Sequence, residues 1–335
     1  MNAQLLHAKA MIFDGHNDSL ALKLEQGDPL DFGPTDPHYH VDLPRLRASG
    51  LTAFNNFVGA RDLPISLALW EAIHWHVDTY PDDFLLARSA ADIKRAKADA
   101  KVAFVGQLES CACLGERLGA LSLQYRLGLR VANLSHGEGT ERHEHALQID
   151  NSVFDYTTAE VREAARKELR GLTGFGRDVV RACNDLGIIV DTAHANDRAF
   201  YEAVELSGKP CIFSHGGVFA ICPHFRALTD DQTKALAAKG GVMAVAFYDK
   251  FIHREAPSMD KLIDQVEHVV NLVGPDHIGF GSDFDGLPQE AVPIPPHQGR
   301  LIDFTEALVA RGFDEETVLK ILGGNLLRVF EEVCG

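Results

Sequence analysis

The sequence predicts an α/β chain folded as a (β/α)8 TIM barrel, and three observations carry that expectation. Eight short apolar runs with strand character alternate almost throughout with stretches of helical periodicity. Parallel strands need crossovers of this kind, and eight such units can close on themselves. Residues that can hold metals or move protons stand at the ends of these runs: His16 and Asp18, Glu109, His136, His194, His215 and Asp283. In a barrel the C-terminal strand ends form one ring, where active sites lie. An open doubly wound sheet also fits the alternation, but it would not gather these ends. The 335 residues suit a single barrel domain spanning 1–335.

The first strand is the run at Met11–Asp14, entered directly from a mixed polar and apolar start and followed by Gly15, His16 and Asp18. Residues 19–50 carry Pro29, Pro34, Pro37 and Pro44 and read as irregular, with His38 and His40 in a surface loop. Residues 51–58 are the second strand and 65–80 a helix. His74 and His76 lie on that helix, where side chains two apart diverge by about 200°, so they are not a chelating pair. Ser89 and Asp92 form a capping box for the next helix. Residues 101–109 are the third strand, ending in Glu109; a helix at 116–127 stops at Gly128. The fourth strand, 129–136, ends in His136 and leads into a long polar loop over 137–160.

A helical region over 158–186 is interrupted at Gly171–Gly176. Residues 187–191 form the fifth strand, closed by Thr192-Ala-His194, and a helix spans 197–207. Residues 210–213 form the sixth strand, before Ser214-His215. Thr229 and Gln232 cap a helix to Lys239, and 240–248 is the seventh strand, ending in Tyr248. Ser258 opens an amphipathic helix with Leu262, Ile263, Val266, Val269, Val270 and Val273 inward. Residues 277–283 are the eighth strand, and helices at 299–311 and 315–332 finish the chain.

A formal net charge of -16 argues against nucleic-acid and anionic-membrane partners. Six cysteines without a C-x-x-C pair read as reduced thiols, and no signal peptide, apolar span or lipid-anchor tail is recognisable, which points to the cytoplasm.

His16, Asp18, His194 and His215 supply three imidazoles and a carboxylate, and Glu109 can bridge two cations. One divalent ion would take His16, Asp18 and Glu109, the other Glu109, His194 and His215, each keeping an open position. A water between two such ions becomes hydroxide near neutral pH, and the ions polarise a carbonyl. Asp283 is placed to move a proton from that nucleophile to a leaving amine, and His136 to polarise the carbonyl oxygen from the far side. The chemistry is hydrolysis of an amide-like bond.

Asp14-Gly-His-Asn-Asp18, Gly171-Leu-Thr-Gly-Phe-Gly176, Asn184-x-Leu-Gly-x-x-Val-Asp-x-x-His194, Ser214-His215, Arg226 with Asp230-Asp231, Gly240-Gly241 and Gly279-Phe-Gly-Ser-Asp-Phe-Asp-Gly286 run nearly the length of the chain. Together they resemble the membrane (renal) dipeptidase family of metallopeptidases, in the amidohydrolase superfamily. The resemblance implies a (β/α)8 barrel of the metal-dependent hydrolase type with two Zn2+ ions, bridged by Glu109 and a hydroxide. It implies the same ligands, His16, Asp18, Glu109, His194 and His215, with His136 polarising the carbonyl and Asp283 as proton shuttle. Arg226 would grip the substrate carboxylate as a planar bidentate donor, with His136 and Tyr248 completing the substrate-binding set. The implied substrate is a dipeptide, often with a D-residue at its C-terminal position, and the implied assembly a homodimer. Ser110, Thr192, Ala193, Gly216 and Ala227 depart from the family's usual residues without removing a ligand. The alternatives are another amidohydrolase acting on N-acyl amino acids and a non-catalytic metal-binding barrel.

Overall fold

Eight parallel strands follow one another around a nearly closed barrel in the computed structural model, which describes residues 1–59, 62–136, 158–166, 170–288 and 290–335. They are β1 (Ile12–Asn17), β2 (Leu51–Phe57), β3 (Val102–Leu108), β4 (Leu129–Asn133), β5 (Ile189–Asp191), β6 (Ile212–Phe213), β7 (Val242–Val245) and β8 (Ile278–Phe280). Each pairs in parallel with the next. Between β8 and β1 the ring is joined just past the strand ends. There Asp283 N donates to His16 O at 3.1 Å and Asp18 N to Phe284 O at 3.0 Å.

Alternation along each strand sets what lines the barrel. Phe13, Ala53, Ala103, Val105, Val131, Ile189, Ile212 and Val242 form one buried apolar cluster. Two residues further along their strands come Asn55, Gln107, Asn133, Asp191 and Ser214, all buried. The lining therefore turns from apolar to polar on approaching the C-terminal ends, where the candidate site residues stand.

The floor of the barrel is the helix Asn325–Cys334, whose Leu326, Val329, Phe330 and Val333 join the inner cluster. Phe13 and Phe330 meet edge to face with ring centroids 6.2 Å apart. The single helix expected over 315–332 is in fact broken into Glu315–Leu319, a wide turn over Lys320–Gly324, and Asn325–Cys334. The reason is a close approach: a Cβ on Gly323 would lie 2.1 Å from Met11 O and 2.5 Å from Phe13 N. With β1 backbone pressed against the turn, the chain bends and runs under the barrel.

Other differences have local causes. Residues 3–9, read as a mixed lead-in, form the helix Ala3–Lys9, capped by the Asn2 side chain. The proline-rich 19–50 stretch contains the helices Ser19–Gln26 and Leu43–Ala48. Pro44 sits in the first turn of the second one, where its missing N–H costs nothing, and Asp42 caps it. A short strand, Phe84–Leu86, pairs with the start of β3, before β4 begins to pair at Gly106. The strand expected over 240–248 is ordered as strand only at Val242–Val245. His76 is a core residue: Phe32 N donates to its Nε2 at 3.0 Å and its Nδ1 lies 2.7 Å from Ala72 O. Both expected capping boxes, at Ser89 and Thr229, are formed. The helical region over 158–186 comprises Ala159–Arg166 and Gly174–Leu186, the latter capped by Thr173. The long loop expected from 137 falls on 137–157, outside the described residues. Among the described residues no helix is long and apolar enough to cross a membrane.

Phe330→Ala should destabilise the protein by about 3–5 kcal/mol, the cost of emptying a buried aromatic site. Denaturant unfolding measures this, and a loss below about 1 kcal/mol would show that the helix is not the floor of the core.

Candidate metal centre

Glu109 follows the last residue of β3, and around it the strand ends gather six further imidazole and carboxylate groups. Its Oε1 lies 3.2 Å from His16 Nε2, 3.2 Å from His194 Nε2 and 3.7 Å from His215 Nε2, and its Oε2 lies 3.6 Å from His136 Nε2. His16 Nε2 is also 3.0 Å from Asp18 Oδ2 and 3.9 Å from Asp283 Oδ1. His194 Nε2 and His215 Nε2 stand 3.1 Å apart, and the His16 and His215 rings stack at 4.0 Å. All seven residues chosen from the sequence are thus in one cluster. Among the described residues three sets hold their ligand atoms within 4.8 Å of one another: His16, Glu109 and His215; Glu109, His136 and His194; His16, Asp18 and Asp283. Glu109 belongs to two of the three, and His215 falls in a set with His16 rather than with His194.

The electrostatics follow from burial. Burial alone would raise the Glu109 carboxyl, but the imidazoles of His136 and His16 hold it well below the ordinary carboxylate range. Burial likewise opposes charge on His16, and Asp18 and Glu109 override it and raise its pKa well above the usual value. Burial pushes Asp283 up to about 7, helped by the neighbouring carboxylates of Asp18 and Glu109. His194 and His215 are held well below the ordinary value, first by burial and then by Arg226 and His16 respectively. The donor set suits divalent cations: neutral imidazoles offering Nε2, and buried carboxylates that repel one another without a cation between them. Among the described residues His16 Nε2 and Asp18 Oδ1 are buried without a hydrogen bond of good geometry, which suits atoms that would face a bound cation.

The family model for membrane dipeptidases (peptidase family M19) matches residues 1–334. This chain belongs to the membrane dipeptidase family. It is therefore a metallo-dipeptidase, a hydrolase. It is 30% identical over 341 residues to Dipeptidase tcpJ of Claviceps purpurea (strain 20.1), covering 96% of this chain and 76% of that protein. Among solved structures, the dipeptidase AC of the same peptidase family matches with a TM-score of 0.81 at 26% identity, over 97% of this chain and 99% of that one. A metallopeptidase from Rhodobacter sphaeroides, solved with a phosphinate mimic of the dipeptide L-Ala-D-Ala, matches with a TM-score of 0.80 at 24% identity and the same coverage.

Against the background of the membrane dipeptidase family, the departures acquire a structural reading. After β6, the short strands Gly217–Val218 and Ala227–Leu228 pair and carry Arg226 back toward the centre. A Cβ on Gly216 would lie 2.5 Å from Arg226 O and 2.4 Å from the Phe213 ring, so only glycine permits this approach. Among the described residues the Arg226 Nε and Nη2 have no hydrogen-bond partner although buried, and its guanidinium lies 5.6 Å from the Phe251 ring. Tyr248 packs on the same ring at 4.7 Å. His136 sits at the rim, its side chain 30% exposed.

Sequence reasoning placed His40 in a surface loop; it does lie in a loop, but its side chain is only 28% exposed and tied to another turn. Its Nδ1 lies 2.7 Å from Asp285 Oδ1, and its backbone N donates to the same oxygen at 2.9 Å. Ser19 Oγ donates to Asp285 Oδ2 at 2.5 Å. This latch grips the turn that carries Asp283. In that turn Asp283 and Asp285 both have left-handed backbone, at φ 60 and 66, conformations that cost of order 1–3 kcal/mol each and persist only where neighbours impose them. Three further residues were given no role, namely Gln107, Asp191 and Ser214, which lie beneath His16 and His215. The available signal was the inward series Ala103, Val105, Gln107, which turns polar at the strand end.

Chelation of bound metal should lower the melting temperature, and re-adding a divalent cation should restore it. At a hundredfold excess over the dissociation constant, binding contributes about 2.7 kcal/mol. Calorimetry with and without chelator tests this, and an unchanged transition would count against a metal centre here.

Proposed function

We propose that the protein cleaves the amide bond of dipeptides, including those with a D-residue at the C-terminal position, with two zinc ions held by His16, Asp18, Glu109, His194 and His215. The observation that carries this reading is the convergence of His16, His194 and His215 on Glu109, with Asp18 against His16, beside an arginine whose buried Nε and Nη2 have no partner among the described residues. A phosphinate mimic of L-Ala-D-Ala bound by the Rhodobacter sphaeroides metallopeptidase supports the choice of substrate stereochemistry. Zinc suits a mixed imidazole and carboxylate set. Ions bound there supply Lewis acidity toward the peptide carbonyl and make water a stronger acid.

The chain's own groups do the rest. Arg226 holds the substrate carboxylate in two parallel hydrogen bonds, with Tyr248 and Phe251 walling that side. His136 donates from the rim to the carbonyl oxygen as negative charge develops on it. Asp283, lifted to about 7 by burial and the carboxylates beside it, can hold a proton at neutral pH and release it to the departing amine. We place this activity in one catalytic domain spanning 1–335. A homodimer in the cytoplasm fits the exposed Leu63, Ile65, Leu67 and Trp75 of the helix Leu63–Thr79 and the six free cysteines.

A dipeptide should be turned over faster than its N-acetylated form; preference for the acetylated compound would favour the deacylase reading. Asp283→Asn should retain metal, checked by elemental analysis of the same sample, while turnover falls about 10²–10⁴-fold, the usual contribution of a positioned acid–base group. Undiminished turnover in that variant would remove Asp283 from the proton-transfer role.

A further inference from the structure

We propose that one buried carboxylate, Asp191, orients ligands of both metal positions at once, acting through Gln107 on His16 and through Ser214 on His215. The inference rests on the ligand roles given above and adds the residues that set the ligands' tautomers.

Asp191 ends β5 and is fully buried. Its Oδ1 accepts from Ala193 N and Ser214 N, each at 3.0 Å. Its Oδ2 accepts from Ser214 Oγ at 2.5 Å and from Gln107 Nε2 at 2.9 Å. Four donors thus converge on one carboxylate, which when ionised can only accept.

The two branches follow from proton counting. A serine hydroxyl has one hydrogen, and Ser214 gives it to Asp191. Toward His215 Nδ1, 2.9 Å away, Ser214 Oγ can then only accept. Nδ1 must carry the proton, which leaves the Nε2 lone pair of His215 facing His194 and Glu109. On the other branch, donation to Asp191 settles which end of the Gln107 amide is nitrogen. Its Oε1 therefore faces His16 Nδ1, at 2.7 Å, and accepts a proton from it. The Nε2 of His16 is again the atom left for a cation, beside Asp18 and Glu109. In the absence of the Asp191 charge, nothing prevents the amide from turning its NH2 toward His16, or the Ser214 hydroxyl from donating to His215. Either change favours a proton on Nε2, where a metal ligand needs a lone pair.

The barrel supplies the setting. β1, β3 and β5 are alternate strands, and alternate strands contribute to the same interior layer. The layer below, with Val105 and Ile189, belongs to the buried apolar cluster. Asp191, Gln107 and Ser214 touch neither substrate nor metal; they are positioning residues.

The test uses the full-length protein and zinc alone as probe, with both binding steps read by competition against a chromophoric chelator. Asp191→Asn should weaken both steps, each about 10–100-fold, the usual cost of losing a ligand's outer support. Gln107→Leu should weaken one step and Ser214→Ala the other, while Ser214→Thr, which keeps the hydroxyl, should restore near wild-type affinity. In the zinc-loaded wild type, the slowly exchanging Nδ1 protons of His16 and His215 should be visible by NMR. Gln107→Leu should disturb only the first and Ser214→Ala only the second. Should Asp191→Asn not fold, the Gln107 and Ser214 variants decide alone. Unchanged affinities, or an equal loss at both steps in both single-branch variants, would overturn the proposal. A wild-type protein that binds no zinc would overturn the ligand assignment itself, and this inference with it. Wild-type binding with insensitive variants would overturn only the role of Asp191.

Discussion

The arrangement depends on a carboxylate that cannot be buried alone. Glu109 is 5% exposed, and an isolated ion in such a place carries a desolvation penalty of several kcal/mol. Its two oxygens are met by imidazoles from four other strand ends. These in turn bring Asp18 and Asp283, whose charges create the demand for a cation. The closed ring of strands satisfies that demand geometrically, because no flat sheet could bring the ends of β1, β3, β4, β5, β6 and β8 to one point. Below the charged layer the lining is apolar, a low-dielectric floor that strengthens the interactions among the charged groups above it.

Much of this was legible in the sequence. Alternating apolar runs gave the eight strands, and the chemistry of His16, Asp18, Glu109, His194, His215 and Asp283 at their ends gave the centre, because strand ends in a barrel share one place regardless of their distance along the chain. Helix starts were legible where a side chain closes on its own backbone, as at Ser89 and Thr229. What stayed hidden depends on partners far away in sequence. Gln107 looks like any polar strand residue until Asp191, 84 positions on, is set against it. His40 looks solvated until Asp285, 245 positions on, is found beside it. The break at Gly323 is invisible without the β1 backbone that forces it.

The loops at the mouth show how a rigid scaffold holds residues in costly conformations. Asp283 and Asp285 keep left-handed backbone because the turn is fastened on both sides, by Ser19 after β1 and by His40. A side chain at Gly286 would fall 2.1 Å from Asp18 Oδ2 and 2.7 Å from Asp283 Oδ1, so the turn also fills the space between the two carboxylates. Gly216 plays the corresponding part at the end of β6, where bare backbone lets Arg226 come close. The same principle serves both sides of the site: where two pieces of backbone must nearly touch, the residue between them has no side chain.

The helix beneath the barrel has a bearing on how the protein is made. Phe13, on the first strand, is sealed by Phe330, from a helix far along the chain. The seam between β8 and β1 also joins distant parts of the chain. A growing chain can therefore assemble βα units in succession, but its interior stays open at the bottom until the helix Asn325–Cys334 has been made. Such long-range closure slows folding and leaves apolar strand faces exposed meanwhile. The chain's excess of acidic residues, a net charge of -16 over its 335 residues, opposes association between such unclosed barrels.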